Sequence, residues 1–139
     1  MDSKPVQIRY RDVQIGILLS QEANWLLTES AKSSGRSKNK EVLLRLEDHL
    51  KTFPEINKSD YLGLKKSKVL PEKAKAYKPV RIVVQLSAAL NRLLTESTHK
   101  STLKKSKEAA LRVDAHVLAV SSIAKVHDVT PRVIKGNAL

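Results

Sequence analysis

Apolar and polar positions alternate between residues 14 and 19: Ile15, Ile17 and Leu19 fall on one side of an extended chain, with Gln14, Gly16 and Leu18 on the other. A period of two over six residues, rich in β-branched types, predicts a half-buried strand. Ser20 follows as a residue able to cap a helix through a backbone N–H. The period then becomes helical at Ala23, Leu26, Leu27 and Ala31, and stops at Ser33-Ser34-Gly35, where glycine can supply a positive φ. After Ser37, another cap, a second helix carries Leu43, Leu46 and Leu50.

The same order recurs downstream. Residues 14 to 50 align without a gap on residues 81 to 117 at an offset of 67, and 16 of the 37 pairs are identical. Ile82, Val84 and Leu86 repeat the inward strand positions and Arg81, Val83 and Gln85 the outward ones. Ser87 repeats the cap, Leu90, Leu93, Leu94 and Thr98 the first helix, and Ala110, Val113 and Val117 the second. One supersecondary unit, strand, helix, turn and helix, is therefore used twice. Neither copy can bury its faces alone, because a lone strand leaves both edges unpaired. Together, two strands make an antiparallel ribbon and four helices close over its apolar side. The predicted fold is mainly α with a two-stranded antiparallel β-ribbon, a tandem ribbon-helix-helix pseudo-dimer in one chain.

The run LLTESAKSSGRSKNKEVLLRLEDHLKTFPEI, residues 26 to 56, resembles the TraY family, with the Ser34-Gly35-Arg36-Ser37 turn, the Arg45-Leu46 to Asp48-His49-Leu50 segment and Pro54. The resemblance extends over roughly residues 13 to 120, and more loosely the first unit resembles the β-ribbon DNA readers Arc and MetJ. It implies an accessory DNA-binding protein of the relaxosome in F-like conjugative plasmids. Such a protein would bind and bend an origin of transfer so that the relaxase can nick it, and would also act on a transfer promoter. Its partners would be double-stranded DNA, the relaxase and other relaxosome proteins. A monomer in solution is expected, with several copies on DNA.

The outward strand residues would then face the major groove. Gln14 and Gln85 suit adenine, Arg81 suits guanine O6 and N7, Gly16 lets a backbone approach, and Leu18 and Val83 complete the face, with Leu18 able to touch a thymine methyl. Leu18 also reads as a merely buried strand residue. Because the two strand faces differ, the expected DNA site is asymmetric. Arg36, Ser37, Lys38 and Asn39 enter the second helix, whose N-terminus is suited to a phosphate. Lys104, Lys105 and Ser106 are the equivalents, but there Thr102 replaces the turn glycine, Leu103 the arginine and Lys104 the capping serine.

Charge and composition agree with this expectation. The net charge is +12 and the pI about 10.0, which suits a polyanionic partner although basicity alone does not identify one. An aromatic content of 4% leaves the core to Leu, Val, Ile and Ala. The absence of cysteine excludes disulfide and thiolate chemistry. With no signal-like or membrane-length apolar run, a soluble cytoplasmic protein is expected.

The remaining segments divide as a basic N-terminal arm (1–12), unit 1 (13–50), a lysine-rich linker (51–80), unit 2 (81–126) and a flexible tail (127–139). The second helix of unit 2 is expected to run to about Val126. The arm reads either as a frayed terminus or as a source of phosphate contacts, and the linker as a solvated connection with room for a short helix or as a track along flanking DNA. Trp25 lies on the polar face of the first helix with Arg92 as its counterpart, and reads as packing against the arm or linker or as a partner-docking residue. His49, His99, His116 and His127 lack metal-ligand spacing, and there is no nucleophile motif or phosphate loop, so neither catalysis nor a cofactor is expected. Two other readings remain open at this point: an antitoxin-type repressor, and a helical adaptor that does not bind DNA.

Overall fold

The computed structural model describes residues 9–57 and 70–133. The expectations for the first part of the arm, the middle of the linker and the end of the tail lie outside these residues. Strand β1 (Val13–Leu19) leads into α1 (Gln21–Ser34) and α2 (Lys38–Thr52). A short 3-10 helix, Glu72–Ala76, precedes β2 (Val80–Leu86), α3 (Ala88–Ser101) and α4 (Lys105–Ala119). A terminal hairpin, β3 (Val120–Lys125) and β4 (Asp128–Pro131), follows.

Local chemistry sets most boundaries. Ser20, Ser37 and Ser87 each accept a hydrogen bond from the backbone N–H three residues on, as N-caps do. Gly35 ends α1 at φ 71°, and its counterpart Thr102 ends α3 at φ 62°. The second turn therefore keeps the shape of the first without glycine, with a β-branched residue in the left-handed region, which costs roughly 1–2 kcal/mol.

β1 and β2 pair antiparallel, and Gly16 is register partner to Val83, its own repeat counterpart. The pseudo-twofold axis relating the halves thus passes through that pair. Beneath the ribbon, Ile17, Leu19, Ile82, Val84 and Leu86 meet Leu27, Leu46, Leu50, Leu94, Val113 and Val117 in one core. Burying each such side chain contributes on the order of 1.5–3 kcal/mol. The interleaved core explains why the halves need one another.

The C-terminal expectation is corrected. α4 stops at Ala119 instead of continuing to about Val126, and the segment from His127 that was expected to be flexible forms β4 as far as Pro131. The run Val120-Ser121-Ser122-Ile123 has the β-branched and hydroxyl residues that disfavour a helix. Arginines distant in sequence also supply donors to its extended backbone. Arg45 donates to the carbonyls of Val120 and Ser121, and Arg36 to those of Ile123 and Ala124. Ile123 is buried, and Asp48 accepts a 2.7 Å hydrogen bond from the backbone N–H of His127 in the turn. These anchors come from unit 1, so no pattern within residues 120–131 displays them.

Candidate nucleic-acid interface

The outward ribbon residues form three cross-strand pairs, Gln14 with Gln85, Gly16 with Val83 and Leu18 with Arg81. Leu18 is 61% and Val83 51% exposed, and Gln14, Gln85 and Arg81 are exposed as well. This overturns the reading of Leu18 as a buried strand residue. Two exposed aliphatic side chains on a ribbon otherwise bearing amides and a guanidinium make a face with both hydrogen-bonding and methyl-contacting groups. The pseudo-twofold axis carries Gln14 onto Arg81 and Leu18 onto Gln85, so the two ends of the ribbon differ chemically: one carries two amides, the other a guanidinium and a leucine.

The entrances to the second helices lie beside this face. Asn39, in the first turn of α2, donates a 3.0 Å hydrogen bond to the Val83 carbonyl at the ribbon centre. Across the axis, Ser106 and Lys107 of α4 share a groove with Gly16, Leu18 and Arg81. Ser37 caps α2, whereas Lys104 takes the cap position of α4 without a side-chain bond. Lys38 and Lys105 are placed alike, each Nζ donating to the Oδ1 of an asparagine, Asn24 and Asn91 respectively. Burial lowers the Lys38 pKa from its ordinary value. The same asparagines hold the chain entering the ribbon, since Asn24 Nδ2 donates to the Lys78 carbonyl at 2.8 Å and Asn91 Nδ2 to the Arg11 carbonyl at 2.9 Å.

Arg36 is the sequence-predicted phosphate residue that the structure places elsewhere. Its guanidinium pairs with Glu41 at 3.0 Å and donates to the carbonyls of Ile123 and Ala124 at 2.7 and 2.8 Å. It pins the terminal hairpin to unit 1. Trp25 is half-buried on α1, the helix against which the Glu72–Ala76 turn packs, and nothing marks it as a binding residue.

A buried polar framework holds the helices that carry this surface. Glu41 and Arg45 on α2, and Glu108 and Arg112 on α4, form fully buried i,i+4 ion pairs at 2.9 Å. Desolvation would raise the Glu41 pKa, but hydrogen bonds from Ser30, Arg36 and Arg45 outweigh it and hold the carboxyl below its ordinary value. Each arginine then crosses the axis. Arg45 meets His116 Nδ1 at 3.1 Å and the Val120 carbonyl, while Arg112 meets His49 Nδ1 at 3.0 Å and the Phe53 carbonyl. Val120 and Phe53 are repeat counterparts at the C-caps of α4 and α2, so each arginine satisfies the helix end of the opposite half. Because a guanidinium only donates, Nδ1 of each histidine accepts and the proton lies on Nε2. His116 passes that proton's hydrogen bond to Asp48 at 2.7 Å. Burial, with the charge of Arg112 adding to it, pushes His49 down to about 3, and burial likewise lowers His116.

A family model, the TraY domain, matches residues 15–62 and 82–127, covering both units. The chain belongs to the TraY family. TraY-family proteins are DNA-binding accessories of the conjugative relaxosome, and both repeats carry the domain. No curated protein and no solved structure matches the chain. Among the described residues, no helix is long and apolar enough to cross a membrane.

The TraY match begins at Ile15 and Ile82, immediately after the outward residues Gln14 and Arg81. The apolar periodicity does not single out Glu41, Arg45, Glu108 and Arg112, which form the framework under the outward ribbon set. A signal was present: Asn24, Ser30, Ser34, Lys38, Glu41, Arg45 and His49 are all identical to their counterparts 67 residues on. Polar identity across two diverged copies marked the buried network.

Proposed function

We propose that this TraY-family chain reads an asymmetric double-stranded site in a plasmid origin of transfer and thereby assists the relaxase. The β1–β2 ribbon enters the major groove. Gln14 and Gln85 contact adenines at one end and Leu18 a thymine methyl at the other. Arg81, rooted opposite Leu18, reaches in over Gly16 to contact guanine near the centre beside Val83. Ser37, Lys38 and Asn39 on one side, and Lys104, Lys105 and Ser106 on the other, hold the flanking phosphates. Bending of the origin follows from gripping both flanks of a ribbon-filled groove and favours nicking. The protein acts as a monomer, with copies adding along the DNA.

The observation that carries this reading is the ribbon face: six outward residues in three register pairs, all but Gly16 exposed, on a chain of net charge +12. Phosphate neutralisation makes affinity salt-dependent, with an expected log–log slope of about −5 to −8 if that many phosphates are engaged. The test is competition binding of a fragment spanning a conjugative origin of transfer against random DNA at near-physiological salt. A preference of about a thousandfold or more supports the reading. Equal affinity for both fragments contradicts it and leaves non-specific DNA binding.

A further inference from the structure

The guanidinium of Arg81 lies across the ribbon, over the backbone of Gly16 on the facing strand. A Cβ at position 16 would overlap Nε and Nη2 of Arg81 and come within 2.6 Å of Cζ. Arg81 pairs with Leu18, so Gly16 is its diagonal neighbour, within reach of a long side chain. The twofold-related slot differs, because the position diagonal to Gln14 is occupied by Val83. The bare slot is therefore under the arginine, not under its glutamine counterpart. Gly16 is an extended strand residue outside the left-handed region, so its backbone has no need of glycine. Arg36, Arg45, Arg92, Arg112 and Arg132 are all engaged in hydrogen bonds or ion pairs. Arg81, among the described residues, keeps its donors unengaged.

We infer that Gly16 is a positioning residue for base recognition: its missing side chain forms a cradle that holds the Arg81 guanidinium over the ribbon's pseudo-twofold axis and aims it at guanine. This rests on the DNA-reading function proposed above. It differs from a glycine that simply admits a DNA backbone, because its effect passes entirely through Arg81. An arginine held near its docking geometry loses less conformational freedom on binding. With alanine at position 16 the guanidinium must leave the cradle, while the strand and the amide end of the face stay unchanged.

The experiment is selection from a randomised duplex library with the wild-type chain, Gly16→Ala, Arg81→Ala and the double variant, followed by binding titrations on the enriched sequence and its point variants. Circular dichroism and thermal melting establish that each variant folds. The expected result is that Gly16→Ala lowers discrimination at the guanine position by about tenfold or more, in the range set by one bidentate arginine–guanine pair. Discrimination at the adenine positions and the salt slope should hold. In the Arg81→Ala background, Gly16→Ala should have no further effect, the mark of a coupled pair. An unchanged preference in Gly16→Ala overturns the inference, as does an equal loss in both backgrounds. Failure of the wild-type chain to enrich any sequence would overturn the DNA-reading function along with it.

Discussion

The two halves carry the same buried lattice but are finished differently at their surfaces. Glu41–Arg45–Ser30 and Glu108–Arg112–Ser97 superpose in chemistry, each arginine reaching the histidine and helix end of the other half. At the helix entrances the halves diverge: Gly35, Arg36 and Ser37 on one side stand against Thr102, Leu103 and Lys104 on the other. Asp48, which anchors His116 and the turn of the terminal hairpin, has Ala115 as its counterpart. The ribbon diverges as well, with amides at one end and Arg81 with Leu18 at the other. Duplication into one chain releases surface positions from twofold symmetry. The buried glutamate–arginine pairs lack that freedom, since an unpaired interior charge costs several kcal/mol.

The largest test of this contrast lies in the shared lattice. Arg45→Ala and Arg112→Ala should each destabilise by about 3–5 kcal/mol, because each removes the buried partner of a glutamate and uncaps a helix end, with Glu41 keeping Arg36 as a second partner. Chemical denaturation of the two variants should give losses of similar size. A large loss for only one would break the equivalence of the halves.

Acid should act through the same lattice. His49 stays neutral in the fold down to about 3, whereas an unfolded chain protonates it near 6.5. Its contribution is fully present above about 6.5 and is progressively lost as pH falls from there towards 3, because the unfolded state takes up the proton first. The lowered pKa values of His116 and Glu41 act in the same direction. Denaturation midpoints should be flat from about pH 7 to 8 and decline below about 6.5, and a midpoint that rises on acidification would contradict this account.

A smaller effect belongs to the hairpin. Arg36→Ala should cost about 1.5–3 kcal/mol, the range for hydrogen bonds to a charged group, and should speed amide exchange in residues 120–131. Its counterpart, Leu103→Ala, makes no such clamp and should leave hairpin exchange unchanged. Arg36→Ala should also keep the salt slope of DNA binding, whereas a shallower slope would return Arg36 to the phosphate contacts.

The smallest effects lie at the turns. Thr102→Gly should stabilise by up to about 1 kcal/mol through relief of the left-handed strain, and Gly35→Thr should destabilise by a similar amount. Lys104→Ser should add about 0.5–1 kcal/mol by supplying the cap that Ser37 provides to α2. Thermal melting of the three variants resolves these shifts, and a destabilised Thr102→Gly would remove the strain argument.

Much of this was legible because it depended on short-range periodicity and on the repeat. The strand alternation at Ile15, Ile17 and Leu19, the serine caps and the Gly35 turn all sit where the spacing predicts them. The outward ribbon residues were equally legible, because a period of two assigns the faces directly. The terminal hairpin was not: Val120 to Pro131 is held by Arg36, Arg45 and Asp48, partners more than 70 residues away. Nor was the role of Arg36, since a basic residue before a helix reads as an anion contact until its acceptors are located. The Arg81–Gly16 cradle was hidden for a related reason, because a diagonal contact depends on the register of two strands.

The central claim is that specificity resides in the exposed ribbon face, and Arg81→Glu tests it most directly. Arg81 has no structural partner among the described residues, so the variant should melt as the wild-type chain does. The measurement is the ratio of affinities for an origin-of-transfer fragment and for random DNA, taken for both chains at one salt concentration. Collapse of that ratio towards one, with the fold intact, is the predicted result. A ratio equal to that of the wild-type chain would place recognition elsewhere on the molecule and contradict the account.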